Sequence, residues 1–146
     1  MKREKYFLDN YPLKTTEKLR YSDIDIQGHM NNALYLTLIE AARVEIIFED
    51  KFFPGYEQII FMIAHISIDY LSEVNWPGSV KIGTKITYIG NSSFVTEQVI
   101  FSEGQCAAIA KTVIVTVDKK SKKKIALTEH NKKALSMLLT EEINED

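Results

Sequence analysis

Polar side chains are concentrated between Tyr21 and Tyr35, a segment that holds two carboxylates, an imidazole, three side-chain amides and a glycine. Asn31 or Asn32 can cap a helix that starts there, because an Asn side chain accepts a hydrogen bond from a free N–H of the first turn. The unpaired N–H groups and the dipole at a helix N-terminus stabilise developing negative charge, and a nearby carboxylate can act as base or nucleophile. The same residue types also occur in ordinary loops before helices, so composition alone does not decide between a reaction site and a turn.

The element that follows this segment is a long helix, predicted from Ala33 to about Asp50. It is apolar on nearly every side, which is typical of a helix enclosed in a core rather than one at the surface. Pro54 and Gly55 end it. A second helix is predicted over Thr128–Leu139, capped by its first residue.

Further along the chain, apolar residues recur at every second position, which is the period of a half-buried strand. Four strands are predicted on this basis, over Ile60–Tyr70, Val80–Tyr88, Phe94–Phe101 and Ala107–Val117. In the first of them the alternation places Met62 on the buried face and His65 on the other, and a weaker strand is predicted over Thr15–Tyr21. Successive strands are joined by short turns and should therefore be antiparallel neighbours. The predicted class is α+β, with an antiparallel sheet curled around one helix.

The chain has 146 residues, a net charge of −2 and 45% hydrophobic side chains, which fits one domain over residues 1–146 with its own core. Eighteen basic residues against twenty acidic ones give no net basic field, so nucleic acid is not expected as a partner. No apolar run approaches the ~18 residues of a membrane span, and the charged N-terminus has no secretory core. Cys106 is the only cysteine, so we expect a cytoplasmic protein whose thiol packs on an apolar strand.

Several common catalytic motifs do not occur in the sequence, among them the nucleophile elbow G-x-S-x-G, the phosphate loop G-x-x-x-x-G-K and the zinc motif H-E-x-x-H. One cysteine cannot form a thiolate zinc site, and the set Asp25, His29, Glu40 and His65 has no known metal-binding spacing. We therefore expect neither a metal nor a redox cofactor.

The run from Tyr21 to Tyr35, with Gly-His-Met-Asn-Asn at its centre and Glu-Ala-Ala-Arg at 40–43, resembles the signature of the hotdog-fold acyl thioesterases. The nearest subgroup is the 4-hydroxybenzoyl-CoA thioesterase-like proteins and their GHxNN relatives, which include plant acyl-carrier-protein thioesterases. The resemblance covers most of the chain, since Ile66–Leu71, Pro77-Gly78 and Gly90–Phe94 are similar to the family's second strand and next two turns. It implies a hotdog fold, in which an antiparallel sheet wraps around one long central helix.

The resemblance also implies catalytic roles at three positions. Asp25 matches the family's catalytic carboxylate, which attacks the thioester carbonyl or activates a water that does. The backbone N–H of Asn32 matches the helix-start amide that polarises the thioester oxygen, in agreement with the argument from the helix dipole. His29 matches the histidine that the GHxNN relatives place beside the carboxylate, where it orients substrate or water or transfers a proton.

Substrate contacts are expected from Gln27, Tyr35, Glu40, Ser92 and Ser93. Gln27 stands where the plant enzymes have Asn, and Ile26 stands where the benzoyl-CoA type has Pro, so neither mechanism is carried over whole. Tyr35 would form a wall of the pocket or of a subunit interface. Glu40 would either belong to the site or pair with Arg43 at i+3 on the helix.

Two other charged features have a structural explanation beside a functional one. Asp23 is expected to hold the loop by hydrogen bonds to backbone N–H groups. The lysine run between Lys119 and Lys124 is typical of a solvated hairpin tip, and its functional alternative is docking of an acidic carrier protein or of the phosphates of coenzyme A.

The leading prediction is a hydrolase that cleaves acyl thioesters of coenzyme A or of an acyl carrier protein, with coenzyme A arriving as part of the substrate. The alternative is a non-catalytic hotdog module that binds and senses acyl-CoA. A hotdog dehydratase or hydratase fits less well, because the motif of those relatives does not occur here. A sheet whose helix side is filled leaves little interior for a long acyl-pantetheine, and the resemblance implies that a second subunit completes the site, in a homodimer or a dimer of dimers.

Overall fold

Five strands and two α-helices make up the part of the chain that the computed structural model describes, residues 6–140. These elements are β1 Leu13–Lys18, α1 Asn32–Ile47, β2 Ile59–Tyr70, β3 Ser79–Ile89, β4 Ser93–Ser102, β5 Gln105–Asp118 and α2 Glu129–Ser136. The strands pair antiparallel and α1 packs on one face of the sheet, so the predicted α+β class is confirmed. The terminal residues 1–5 and 141–146, which the one-domain prediction includes, lie outside the described part.

The strands are ordered β1-β3-β4-β5-β2, so β2 and β3 are not neighbours. The prediction that successive strands pair is wrong for these two, because β2 pairs with β5 and the chain crosses over between Leu71 and Gly78 before β3 begins. This crossover is tied to the sheet, since the N–H groups of Leu71 and Ser72 both donate to the Ala107 carbonyl, at 2.8 and 3.1 Å. A Pro-Gly pair marks a turn but does not say which strands the turn joins.

The edge strand β2 contains a bulge between Ile63 and His65. Before the bulge, the Phe61 ring packs on Phe53 with 4.8 Å between centroids, whereas Met62 is 52% exposed. The prediction that Met62 lies on the buried face is therefore wrong, because an extra residue within a strand reverses the alternation on one side of it. His65 is exposed, as predicted.

Helix α1 ends at Ile47 rather than near Asp50. The Glu49 carbonyl accepts from the N–H groups of Phe52 and Phe53 at 3.0 and 2.9 Å, which turns the chain so that both rings enter the core. The apolar composition of α1 predicts a helix enclosed on every side, but only seven of its 16 residues are buried. One side of α1 is therefore open in a single chain.

The remaining elements lie close to their predicted bounds. β1 is Leu13–Lys18 rather than Thr15–Tyr21, since the residues Tyr21–Asp23 form a short 3-10 helix. The Thr128 hydroxyl accepts the Asn131 N–H at 3.0 Å, so the predicted cap of the C-terminal helix is confirmed. This cap satisfies one of the free N–H groups of the first turn.

A buried ion pair lies on the face of the sheet opposite to α1. Lys85 on β3 and Glu97 on β4 are cross-strand partners with 3.2 Å between Nζ and Oε2, and neither side chain is more than 3% exposed. Tyr11 covers the pair, donating its hydroxyl to Glu97 Oε2 at 2.8 Å. Burial, followed by the Glu97 charge, raises the pKa of Tyr11, so the phenol stays a neutral donor. Gly83 makes room for this ring, because a Cβ there would lie 2.7 Å from Tyr11 Cβ.

Removing the carboxylate of this pair should destabilise the fold strongly, because the buried Lys85 ammonium loses the carboxylate that lies 3.2 Å from it. We expect Glu97→Gln to lower the free energy of unfolding in urea by about 3–5 kcal/mol. Glu57→Gln, at an exposed glutamate, is the matched control and should change it by less than about 0.5 kcal/mol. A loss at Glu97 as small as that of the control would contradict this account.

Candidate active site

The loop before α1 is a miniature hairpin. Ile24 and Met30 form an isolated antiparallel bridge, and the Asp25 N–H donates to the His29 carbonyl at 2.8 Å. The turn closes with the Gly28 N–H donating to the Asp25 carbonyl at 3.0 Å, and Gly28 has a φ of 85°, which glycine adopts without steric cost. Asp25 and His29 therefore lie opposite each other at the neck of the hairpin.

The two oxygens of the Asp25 carboxylate have different surroundings. Oδ1 accepts from the N–H groups of Gln27 and His29, at 2.8 and 3.3 Å, and so stabilises the turn. Oδ2 has no hydrogen bond or ion pair with any described residue, and the side chain is partly exposed. One oxygen of Asp25 therefore holds the loop, and the other is open to a water or a substrate.

Helix α1 starts with a free N–H group next to this hairpin. Asn31 is the cap, since its Oδ1 accepts the Ala33 N–H at 2.9 Å and its carbonyl accepts the Leu34 N–H at 2.9 Å. The Asn32 N–H has no acceptor among the described residues. A free N–H at the positive end of a 16-residue helix is suited to bind a carbonyl oxygen that gains negative charge.

Asp23 has the structural role predicted for it. Its carboxylate is buried, accepts the Arg20 N–H at 2.7 Å and lies 3.1 Å from the Arg20 guanidinium. The Asp23 carbonyl accepts the Asn31 N–H at 3.0 Å. The 3-10 helix and the first residues of α1 are thereby held at a fixed separation.

The crossover between β2 and β3 supplies a residue that the sequence analysis missed. Glu73 Oε2 lies 3.0 Å from His29 Nε2. The Met30 N–H donates to the Val74 carbonyl at 2.9 Å, so the residues that follow His29 and Glu73 are joined directly. No periodicity or motif signals Glu73, because its proximity to His29 arises from the strand order.

Two tyrosines form the wall beside the helix start. Tyr35 and Tyr70 pack edge to face with 5.0 Å between ring centroids, and the Tyr70 hydroxyl donates to the Asn32 carbonyl at 3.2 Å. Burial, assisted by Tyr70, raises the pKa of Tyr35. Tyr35 therefore presents a neutral hydroxyl, and its role as a wall of a pocket or of a subunit interface stays a prediction.

The other predicted contact residues have their side chains in different surroundings. Gln27 is exposed at the hairpin tip, and Glu40 is exposed on α1 with no direct ion pair to Arg43 among the described residues. Burial lowers the pKa of Arg43, and the Glu40 charge opposes this shift, so the two groups interact only at longer range. Ser92 and Ser93 lie beyond the far end of β3, roughly 33 Å from its start. One chain does not bring these serines to the helix start.

Cavities and metal-binding groups give no sign of a second reaction site in residues 6–140. A cavity of about 1010 Å³ lies between residues 6–9 and the turn from β4 to β5, and none of the predicted site residues lines it. In the same part of the chain, no three His, Cys, Asp or Glu side chains are arranged to hold a metal ion. No helix there has both the length and the apolar composition to cross a bilayer.

The chain belongs to the thioesterase-like superfamily, whose family model matches residues 19–135. The predicted relationship to hotdog-fold acyl-CoA thioesterases is thereby confirmed. Long-chain acyl-CoA thioesterase FadM of Escherichia coli K12 is 29% identical over 119 residues, which cover 79% of this chain and 90% of that protein.

Solved structures show the same fold. The PA5185 protein of Pseudomonas aeruginosa PAO1 superposes with a TM-score of 0.81 at 26% identity, over 90% of this chain and 94% of that one. A thioesterase of Thermus thermophilus, solved in complex with coenzyme A and Zn, superposes with a TM-score of 0.78 at 25% identity, over 89% and 96% of the two chains.

Cys106 should be chemically inert in the folded protein. Burial raises the pKa of its thiol to about 11, and Sγ donates to the Ala108 carbonyl at 3.5 Å. We expect an aromatic disulfide reagent at pH 8 to react about a hundredfold more slowly with the native protein than with the protein in urea, because the thiolate is the reactive form. Equal rates in the two conditions would show that the thiol is accessible and activated.

Proposed function

We propose that the protein hydrolyses acyl-CoA thioesters. The observation that carries the proposal is that the hairpin holding Asp25, which has one carboxylate oxygen without a hydrogen bond, leads directly into α1, whose Asn32 N–H has no acceptor among the described residues. Family membership supports this reaction class, as do the acyl-CoA thioesterase function of the FadM relative and the coenzyme A complex of the Thermus protein.

The carbonyl oxygen of the thioester would accept the Asn32 N–H. That contact strengthens as negative charge develops on the oxygen, and the dipole of α1 adds to it. Asp25 Oδ2 would then attack the thioester carbon or remove a proton from the water that attacks it. The peptide N–H bonds to Oδ1 keep the carboxylate fixed while Oδ2 reacts.

His29 would carry the proton that the reaction moves. It lies opposite Asp25 at the hairpin neck, and its imidazole is partly exposed, so substrate and water can reach it. An imidazole can accept a proton from water and give it to the leaving sulfur. Gln27, Tyr35 and Glu40 would contact the substrate around this centre, without a metal or a redox cofactor.

Coenzyme A esters are the substrates we favour, and acyl-carrier-protein esters are the second choice. The pantetheine thioester is common to both, so the chemistry at Asn32 and Asp25 is the same. The cytoplasmic location is part of the same proposal and is supported by the single thiol, Cys106.

A homodimer formed through β2 would complete the site. Met62 and Ile63 on this edge strand are 52% and 43% exposed, and an apolar edge strand is a template for pairing with another chain. A two-fold axis pairs the same strand of two copies in antiparallel orientation. The start of β2 in one copy then lies beside Tyr70 of the other, which contacts Asn32. Ser93 and Met62 both pair with Val115, so they lie at the same level of the sheet. This arrangement therefore also places the turn with Ser92 and Ser93 of the second copy toward the start of α1.

A non-catalytic acyl-CoA sensor is the second candidate. It is favoured by the structural use of Asp25, whose Oδ1 stabilises the hairpin whether or not a reaction takes place. Incubation with a panel of acyl-CoA esters, with free thiol followed by absorbance, separates the two functions. Tight binding without thiol release would favour the sensor.

Asp25→Asn should abolish most of the turnover without unfolding the loop. The Asn Oδ1 can still accept the two N–H bonds of the turn, but the group can no longer act as base or nucleophile. We expect kcat on an accepted acyl-CoA to fall by ~10²–10⁴. Asp9→Asn, at an exposed aspartate, is the control, and full turnover by Asp25→Asn would refute the assignment.

A charge at the centre of β2 should dissociate the dimer. Ile63→Lys places an ammonium in an apolar edge, and we expect light scattering to change from the mass of two chains to that of one, with thioesterase activity lost in parallel. Met137→Lys replaces a residue that is 67% exposed on another surface and should leave both unchanged. A fully active single chain would contradict the shared site.

A further inference from the structure

We propose that Glu73 is a positioning residue for His29, holding the imidazole through Nε2 so that Nδ1 faces the reaction. This inference rests on the proposed thioesterase function. Its basis is the 3.0 Å contact between Glu73 Oε2 and His29 Nε2, made by an element that lies far from the signature loop in sequence.

The main chain fixes the position of Glu73. The preceding residue, Ser72, donates its N–H to the Ala107 carbonyl at 3.1 Å, and its own carbonyl lies 3.5 Å from the Tyr35 hydroxyl. The following residue, Val74, is fully buried and accepts the Met30 N–H at 2.9 Å. Glu73 is thus held between two anchored residues, and the second anchor is bonded to the residue that follows His29.

Stability does not explain this pair. The Glu73 and His29 side chains are 64% and 38% exposed, and ion pairs this exposed contribute little to folding because water screens them. The remaining effect of the contact is on the His29 ring, whose orientation it fixes. A hydrogen bond to one ring nitrogen also decides which nitrogen of a neutral imidazole carries the proton.

A carboxylate can only accept a hydrogen bond, so contact with Glu73 requires the proton of neutral His29 to be on Nε2. Nδ1 then has a free lone pair, and no described residue donates a hydrogen bond to it. Glu73 lies near one more titratable group, because its charge contributes to the raised pKa of Tyr35. The titratable groups near His29 are therefore Glu73, whose Oε2 contacts the ring, Asp25, which accepts the His29 main-chain N–H, and Tyr35, which lies close enough to Glu73 to sense its charge.

The proton then moves along one route. As the oxygen of a water bonds to the thioester carbon, Asp25 Oδ2 takes a proton from that water and passes it to His29 Nδ1. The C–S bond breaks, the sulfur takes the proton back from Nδ1, and the products are a carboxylic acid and a thiol. No oxidation or reduction takes place, and the imidazolium formed in between lies beside the Glu73 carboxylate.

The first test is a double-mutant cycle on kcat and KM with an accepted acyl-CoA. Glu73→Ala should lower kcat about tenfold, which is less than the loss expected on removing a general base itself. KM should change less than about twofold. Glu73→Gln keeps an acceptor oxygen and should retain at least about a third of kcat, whereas Glu57→Ala is the control at an exposed glutamate. In a His29→Gln background, Glu73→Ala should have no further effect. Additive losses in the cycle would overturn the proposal.

The second test does not depend on activity. Nitrogen-15 spectra of His29 in the neutral state, without substrate, should show the proton on Nε2 in the wild type and in Glu73→Gln. Glu73→Ala should shift the Nε2–H signal away from its hydrogen-bonded position. A proton on Nδ1 in the wild type, or a spectrum unchanged in Glu73→Ala, would overturn the role of Glu73. If the wild type releases no thiol from any ester, the thioesterase proposal fails, and these spectra still decide the role of Glu73.

Discussion

The hydrogen bond from the Met30 N–H to the Val74 carbonyl joins the two segments on which the candidate site depends. Both residues are buried, at 1% and 0% exposure, so water does not compete with this bond. On one side of it lies the hairpin with His29 and the start of α1, and on the other lies the crossover with Glu73. Because the crossover is in turn bonded to Ala107 on β5, the sheet, the helix and the loop hold one another in place.

Within a single polar residue of the candidate site, one atom stabilises the fold and another stays free. Asp25 uses one carboxylate oxygen for its turn and keeps the other free. The cap residue Asn31 satisfies the Ala33 N–H but leaves that of Asn32 open. Groups that stabilise the loop thus stand next to groups that are left free, which explains why loop composition alone could not decide between a turn and a reaction site.

Local patterns predicted local structure well. The period of two located the strands, and Asn and Thr side chains located both helix caps. The order of the strands was not predictable in this way, because the partner of β2 is set by the core that Phe61 and Ile68 join and not by the turn that follows the strand. Glu73 was missed for the same reason, since only the crossover brings it to His29. The burial of Met62 was mispredicted because a bulge has no clear signal in the alternation.

The separation in sequence between β2 and its partner strand β5 also affects how the chain folds during synthesis. At the pace of translation, β5 leaves the ribosome on the order of seconds after β2. During that time β2 cannot form the ladder that it has in the finished sheet, and an unpaired apolar strand is open to wrong pairing. The register shift between Ile63 and His65 belongs to the pairing of β2 with β5, so it forms only after β5 has been made. Which residues of β2 face the core is thus settled late in synthesis, because the shift reverses the alternation along the strand.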